Sequence, residues 1–329
     1  MRALVFAALL AGGCTLVYGP SKIGNSAAED MSGGGDDLAS DDAGTDDAGP
    51  AMAWTTRASG TLQDLHAITG CNPGNLFAPG TGGTLDRATM LPTWAPSLLG
   101  ANDLFGVSTS TCANVYVAGK AGTTYYSSDG TNFTLKTVGT ANYAAVWSNG
   151  VGAAAVGSGG AAIYTTIGSN RFSAKTSGTT QDLFAIWGAG ATFYAAGAGG
   201  TILRSTNSGM AWTAKTFGTA TLRGGWASAT GNDVYAVGDG GTILHSSDAG
   251  TTWPAATSGT SVDLRAVWGS SPNDVYAVGD NGTILRSVDG GQTWNAETSN
   301  TTADLQGVWG SSAGDVWAAG TSGALVHRP

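Results

Sequence analysis

Residues 263–302 read DLRAVWGSSPNDVYAVGDNGTILRSVDGGQTWNAETSNTT. Apolar residues in this stretch alternate with polar ones instead of recurring at helical spacing. LRAVW, DVYAVG and GTILRS each read as a short strand rich in valine, isoleucine and aromatics, and TWNAET as a fourth. Clusters of Gly, Ser, Asn and Asp separate them. The phrase recurs upstream as LRGGWASATGNDVYAVGDGGTILHSSDAGTTWPAATSGT (222–260) and as DLFAIWGAGATFYAAGAGGTILRSTNSGMAWTAKTFGT (182–219). Weaker copies start at Asp64, Asp103 and Asn142, and a truncated one at Asp304. Starts at 64, 103, 142, 182, 221, 263 and 304 give spacings of 39, 39, 40, 39, 42 and 41 residues. Four strands in about 40 residues is the period of a propeller blade; a solenoid is the rival, and four antiparallel strands per unit disfavour it.

The ends of the array point the same way. The last unit, DLQGVWGSSAGDVWAAGTSGALVHRP, stops at Pro329 after three strands. The segment ahead of the first unit, AWTTRASGT (53–61), matches the fourth-strand phrases TWPAATSGT and TWNAETSNT, so that Trp54 aligns with Trp253 and Trp294. An N-terminal strand that completes the C-terminal blade leaves no unpaired sheet edge. The expected fold is an all-β, seven-bladed propeller of four-stranded antiparallel blades over residues 51–329.

Composition excludes other classes. Of 329 residues, 53 are glycine and only 11% are charged. Neither coiled coil nor long amphipathic helix is compatible with that. The net charge of −9 opposes affinity for a phosphate backbone, so no nucleic-acid partner is expected. The charge is uneven: residues 21–50 carry −7, whereas 51–329 carry only −3.

Residues 1–14, MRALVFAALLAGGC, place Arg2 before an apolar run too short to span a membrane, then small residues, then Cys14. This resembles a bacterial lipoprotein signal. The resemblance implies a signal peptide at 1–13, lipidation at Cys14 and residence at the outer membrane or cell surface. Ala11 stands where that family has leucine, which leaves ordinary cleavage, and a periplasmic or secreted protein, as the alternative. Residues 14–50 contain SGGGDDLASDDAGTDDAGP, which buries too little to fold, so a disordered acidic linker spanning about 30–35 Å is expected.

Two units carry the turn SxDxGxTW, as SSDAGTTW (246–253) and SVDGGQTW (287–294). STNSGMAW (205–212) has Asn207 for the aspartate, SSDGTNF (127–133) is shortened and TTIGSNRF (165–172) has lost the pattern. The turn resembles the Asp-box, or bacterial neuraminidase repeat, and the blades look like those of photosystem II assembly-factor propellers. In such boxes Asp129, Asp248 and Asp289 hold a hairpin by accepting backbone N–H bonds, Gly250 and Gly291 supply positive φ, and Trp212, Trp253 and Trp294 pack between sheets. The resemblance gives these residues a structural role and not a catalytic one.

A sialidase or other glycosidase needs a carboxylate pair, or a tyrosine activated by glutamate, with an arginine cluster. The expected propeller holds a single glutamate, Glu297, and of its aspartates only Asp86 falls outside a repeated position. No enzyme is therefore expected. His66, His245 and His327 lack metal-ligand spacing, and neither metal nor cofactor is expected. Cys71 and Cys112 occupy the same loop of the first two blades. In an exported chain they are candidates for a disulfide, against two buried free thiols.

A ligand would meet the positions that vary within the frame. The residue after the strand-one leucine runs His66, Phe105, Ala144, Phe184, Arg223, Arg265, Gln306. With strand one innermost this row rings one end of the channel, where two arginines and two phenylalanines suit an anionic or aromatic group. A second row, Asp86, Tyr126, Tyr164, Arg204, His245, Arg286 and His327, is expected to form a side surface. The reading that follows is a monomeric, non-catalytic platform, tethered through its lipid, for a protein or assembly partner. The alternative is a sugar binder, because VYAVGDNGTILRS also looks like tectonin-type lectin repeats.

Overall fold

A computed structural model describes residues 53–329 apart from 91, 92, 168 and 170. The signal segment, Cys14 and the acidic linker lie outside the described residues. The rest forms seven four-stranded antiparallel sheets. Blade 6 shows the plan, with strands Leu264–Ser271, Asp274–Gly279, Ile284–Ser287 and Asn295–Glu297 paired in chain order. Strand one lines an axial channel. Strand two is packed on both faces by neighbouring blades, which is why its sequence is continuously apolar: Val275, Tyr276, Ala277 and Val278 are all fully buried.

Blade 7 is assembled from both chain ends. Leu305–Ser312, Asp315–Gly320 and Leu325–Arg328 are completed by Thr55–Arg57. The register is Thr55↔His327, Thr56↔Val326 and Arg57↔Leu325. Gly323 makes room for the incoming segment, because a Cβ there would stand 2.1 Å from the Thr61 carbonyl oxygen. Trp54, 1% exposed, meets Tyr276 edge-on at 6.1 Å between ring centres. Trp253 meets Tyr194 at 6.2 Å and Trp294 meets Tyr235 at 6.3 Å in the same way. The alignment of Trp54 with the box tryptophans thus describes one packing motif, an indole of one blade on the strand-two tyrosine of the blade before.

Charged residues mostly serve the frame. The unit-starting carboxylates Asp64, Asp103, Asp182, Asp263 and Asp304 each accept a backbone N–H from the turn after strand two of the preceding blade, at 2.7–2.9 Å. Asn142 does the same for Ala121. In the box turns Asp248 accepts from the Ser246 hydroxyl and from the N–H groups of Thr251 and Thr252. Asp289 accepts from Ser287 and Thr293, and Asp129 from Ser127, Thr131 and Asn132. These bonds stabilise the ionised form and hold Asp248 and Asp289 down at about 2. Gly250 and Gly291 adopt φ of 76° and 80°. Cys71 and Cys112 are joined as a disulfide, Cα atoms 5.3 Å apart, tying the first loops of blades 1 and 2.

The second row needs correcting. Phe77 faces Arg87 in the register that sets Tyr276 opposite Arg286, so Arg87, not Asp86, is the blade 1 member. The row also forms no open side surface. His245 stacks on Tyr235 at 4.1 Å, His327 on Trp317 at 4.0 Å, and Arg286 lies over Tyr276. Asp86 instead occupies the core position held by Leu203, Leu244 and Leu285 elsewhere and is fully buried.

Candidate functional site at the channel mouth

The first residue row does converge. His66, Phe105, Ala144, Phe184, Arg223, Arg265 and Gln306 all line one cavity of about 370 Å³ at the mouth of the channel. Each follows the buried leucine or tyrosine that anchors strand one, so a fixed frame presents a variable side chain seven times. Below it, a lumen of about 320 Å³ is walled by the strand-one residues, including Trp147, Trp187, Trp226, Trp268 and Trp309. These indoles lie against small residues of the next blade. A Cβ on Gly225 would fall 2.3 Å from Trp187, and one on Gly310 would fall 2.5 Å from Trp268.

The mouth is divided chemically. On one side Phe105 meets His66 edge-on at 5.4 Å, and the His66 Nε2 lies 3.2 Å from the Thr81 hydroxyl. Burial holds His66 below the usual imidazole range, against the opposing pull of Asp64 and Asp103, which favours a neutral ring near pH 7. On the other side stand the two arginines, and here the expectation of an anion-binding pair fails. Arg223 forms a two-pronged pair with Asp239, and Arg265 does so with Asp280 at 2.7 Å for both bonds. Arg223 also covers the face of Phe184 at 5.5 Å. Each guanidinium is neutralised by the turn of its own blade, so neither is free for an incoming anion. Asp64, Asp182 and Asp304 at the same end have no cationic partner among the described residues, and Asp182 reaches the cavity wall. The mouth is therefore net acidic with aromatic patches. Sequence reasoning missed this because Arg223 is in strand one and Asp239 in the turn after strand two, 16 residues further on.

The remaining site readings resolve into packing. Glu297 accepts from the Trp54 indole at 2.7 Å and lies 3.7 Å from Arg286 and 3.6 Å from Arg328. It thus works in the joint between blades 6 and 7. All eleven tryptophans are buried or half-buried, which leaves no exposed indole for stacking on a sugar. Among the described residues no group of His, Cys, Asp and Glu is arranged to hold a metal ion. No helix among them is long and apolar enough to cross a membrane.

A family described as the DUF6242 beta propeller domain matches residues 169–307. No curated protein matches the chain. Among solved structures, YCF48 bound to D1 peptide superposes with a TM-score of 0.70 at 17% identity, covering 85% of this chain and 99% of that one. YCF48 from Cyanidioschyzon merolae gives 0.69 at 19% identity, covering 84% and 98%. The WD40 beta propeller domain of Doa1 gives 0.66 at 14% identity, covering 83% and 96%. At these identities the likeness establishes the propeller architecture and no more.

Proposed function

We propose that this chain is a non-catalytic binding propeller, exported and tethered to a membrane through lipid on Cys14, which docks a protein partner on its channel mouth. The carrying observation is the cavity of about 370 Å³, where seven non-repeated side chains meet over a rigid frame. Its carboxylates and aromatic faces suit a partner that offers basic side chains. That one of the similar propellers is recorded with a bound peptide agrees with a protein partner. That every tryptophan is buried or half-buried, with none exposed on the outer surface, favours a protein over a glycan. The repeat-bound aspartates and the engaged Glu297 support a role without catalysis.

Cross-linking on intact cells, followed by identification of the captured protein, tests the reading when run beside Phe105→Ala/Phe184→Ala. A partner captured by the unmodified chain and lost with the variant supports it. Equal capture by both removes the mouth from the proposal. Saturable binding on a glycan array, lost with the same variant, transfers the site to a sugar. Mass spectrometry of the mature N-terminus reads the lipid on Cys14, and an unmodified terminus elsewhere ends the tether.

A further inference from the structure

Blades 4 and 6 carry opposite charge at equivalent places. In blade 6, Arg286 is answered by Asp274 at 2.7 Å and by Glu297 at 3.7 Å. The register fixes the counterparts. Arg204 faces Tyr194 as Arg286 faces Tyr276, and Lys215 faces Ile202 as Glu297 faces Ile284. Two residues before the tyrosine, blade 6 has Asp274 and blade 4 has Thr192. The box carboxylate Asp289 is replaced by Asn207. Blade 6 thus sets two carboxylates against one arginine, whereas blade 4 sets an arginine and a lysine with neither. Neither Arg204 nor Lys215 takes part in an ion pair among the described residues. Gly250 and Thr251 of the blade 5 box turn reach the same place, and the carboxylate of that turn, Asp248, is already engaged by Ser246, Thr251 and Thr252.

A cavity of about 440 Å³ opens at this place, between the outer parts of blades 4 and 5. Arg204, Trp212, Lys215 and Phe217 are in its wall. Two of these donors are buried without a partner, Nε of Arg204 and Nε1 of Trp212. The indole N–H is met in two other blades, where Trp253 donates to the Gly250 carbonyl and Trp54 to Glu297, and is unmet in blade 6 as well, where Trp294 Nε1 has no partner. An anionic oxygen in the cleft would answer the Arg204 guanidinium and the Lys215 ammonium, two cations in the cavity wall that no carboxylate pairs among the described residues.

We propose that the cleft between blades 4 and 5 is a second binding site, and that it takes the carboxylate of an acidic peptide segment. Arg204 offers a planar fork, Lys215 a point charge at the exposed lip, and Trp212 and Phe217 apolar walls for the stem that carries the acid. A free inorganic anion would use the donors and leave those walls bare. The site is separate from the channel mouth and stands or falls without it.

The test is fluorescence anisotropy on the full chain with a labelled Glu-rich peptide, its Gln-for-Glu counterpart, and inorganic phosphate as competitor. The Glu peptide is expected to bind saturably and more weakly as salt rises. Arg204→Gln/Lys215→Gln is expected to weaken it at least tenfold. Thr192→Asp/Lys215→Glu, which installs two of the blade 6 acids, is expected to abolish it while the melting curve holds, because blade 6 already accommodates that arrangement. Phe105→Ala/Phe184→Ala at the mouth is expected to leave this binding unchanged. Equal binding of the Gln peptide, equal binding by the Thr192→Asp/Lys215→Glu chain, or phosphate competing as strongly as the peptide would each overturn the proposal.

Discussion

In blade 6 the third and fourth strands are joined by the turn SVDGGQTW, and Asp289 fastens that turn to the backbone of Thr293. In blade 7 the same two strands come from opposite ends of the chain, with Thr55 facing His327 across 272 residues. The local turn orders a few residues, whereas the split blade must close nearly the whole chain. Blade 7 is compensated by polar contacts that blade 6 extends towards it. Glu297 accepts the Trp54 indole N–H, and Asn300 donates its side-chain amide to the Trp54 carbonyl at 2.7 Å. The difference shows that the box turn is a device for retaining the outer strand, and that contacts from a neighbouring blade take over where the turn is cut.

The strongest challenge to that comparison is removal of residues 51–63, which takes away the fourth strand and Trp54. The melting temperature is expected to fall sharply, and an unchanged melt means that blade 7 does not need the strand. Trp54→Ala comes next, at a cost of about 3–5 kcal/mol in chemical denaturation. Trp253→Ala removes an equivalent ring while its box turn persists. If blade 7 is the weaker blade, the Trp54 variant loses protection from amide exchange in Leu325–Arg328 before the rest of the ring, whereas the Trp253 variant shows no such local loss.

Replacing Cys71 and Cys112 together by serine tests a joint reinforced covalently. The bridge closes a separation of 41 residues, for which chain entropy gives about 4 kcal/mol. A loss well above that of Trp54→Ala would move the weak point of the ring from blade 7 to blades 1 and 2.

The smallest effect sharpens the picture at the other face of blade 7. Asp86 lies opposite Ala78 and Pro96, on the side of blade 1 whose neighbours Leu76, Ala88 and Trp94 pack against Trp317 and Leu325. Burial pushes its carboxyl up to about 7, and its Oδ2 has no partner. An acid raised in the folded state and ordinary in the unfolded one costs stability as pH rises from about 4 to about 7, and no further above that. Asp86→Leu should therefore stabilise the ring, with a gain that grows across that window to at most about 4 kcal/mol. Melting curves of the two chains from pH 4 to pH 8 read the difference, and a gain independent of pH would show that Asp86 does not titrate as its surroundings require.

Much of this was legible beforehand because it is local or periodic. Seven units, four strands in each, and the kinship of Trp54 with Trp253 all follow from spacing. What escaped depends on contacts between strands. In blade 1 the phrase GTLDRA aligns with GTILRS, which puts Asp86 in the slot of Leu203 and Arg87 in that of Arg204; a carboxylate standing in an apolar slot is what hides this register. The mouth arginines read as free cations because their aspartates lie in a turn that only the folded sheet brings back. The cleft beside Arg204 was invisible for a different reason: it is made by what blade 4 lacks relative to blade 6, at Thr192 and Lys215, on the two strands that flank Arg204.

The carboxylate that begins five of the seven units has a last implication. Since it binds the turn of the blade before it, the bonding network is offset by one blade from the written repeat. A blade excised at the repeat boundary would take its own aspartate and abandon its predecessor's turn, so grafts between rings should be cut just beyond that residue. Lengthening or shortening such a ring by whole units then demands two compatible neighbours at once, which would keep the number of blades constant while their faces diverge.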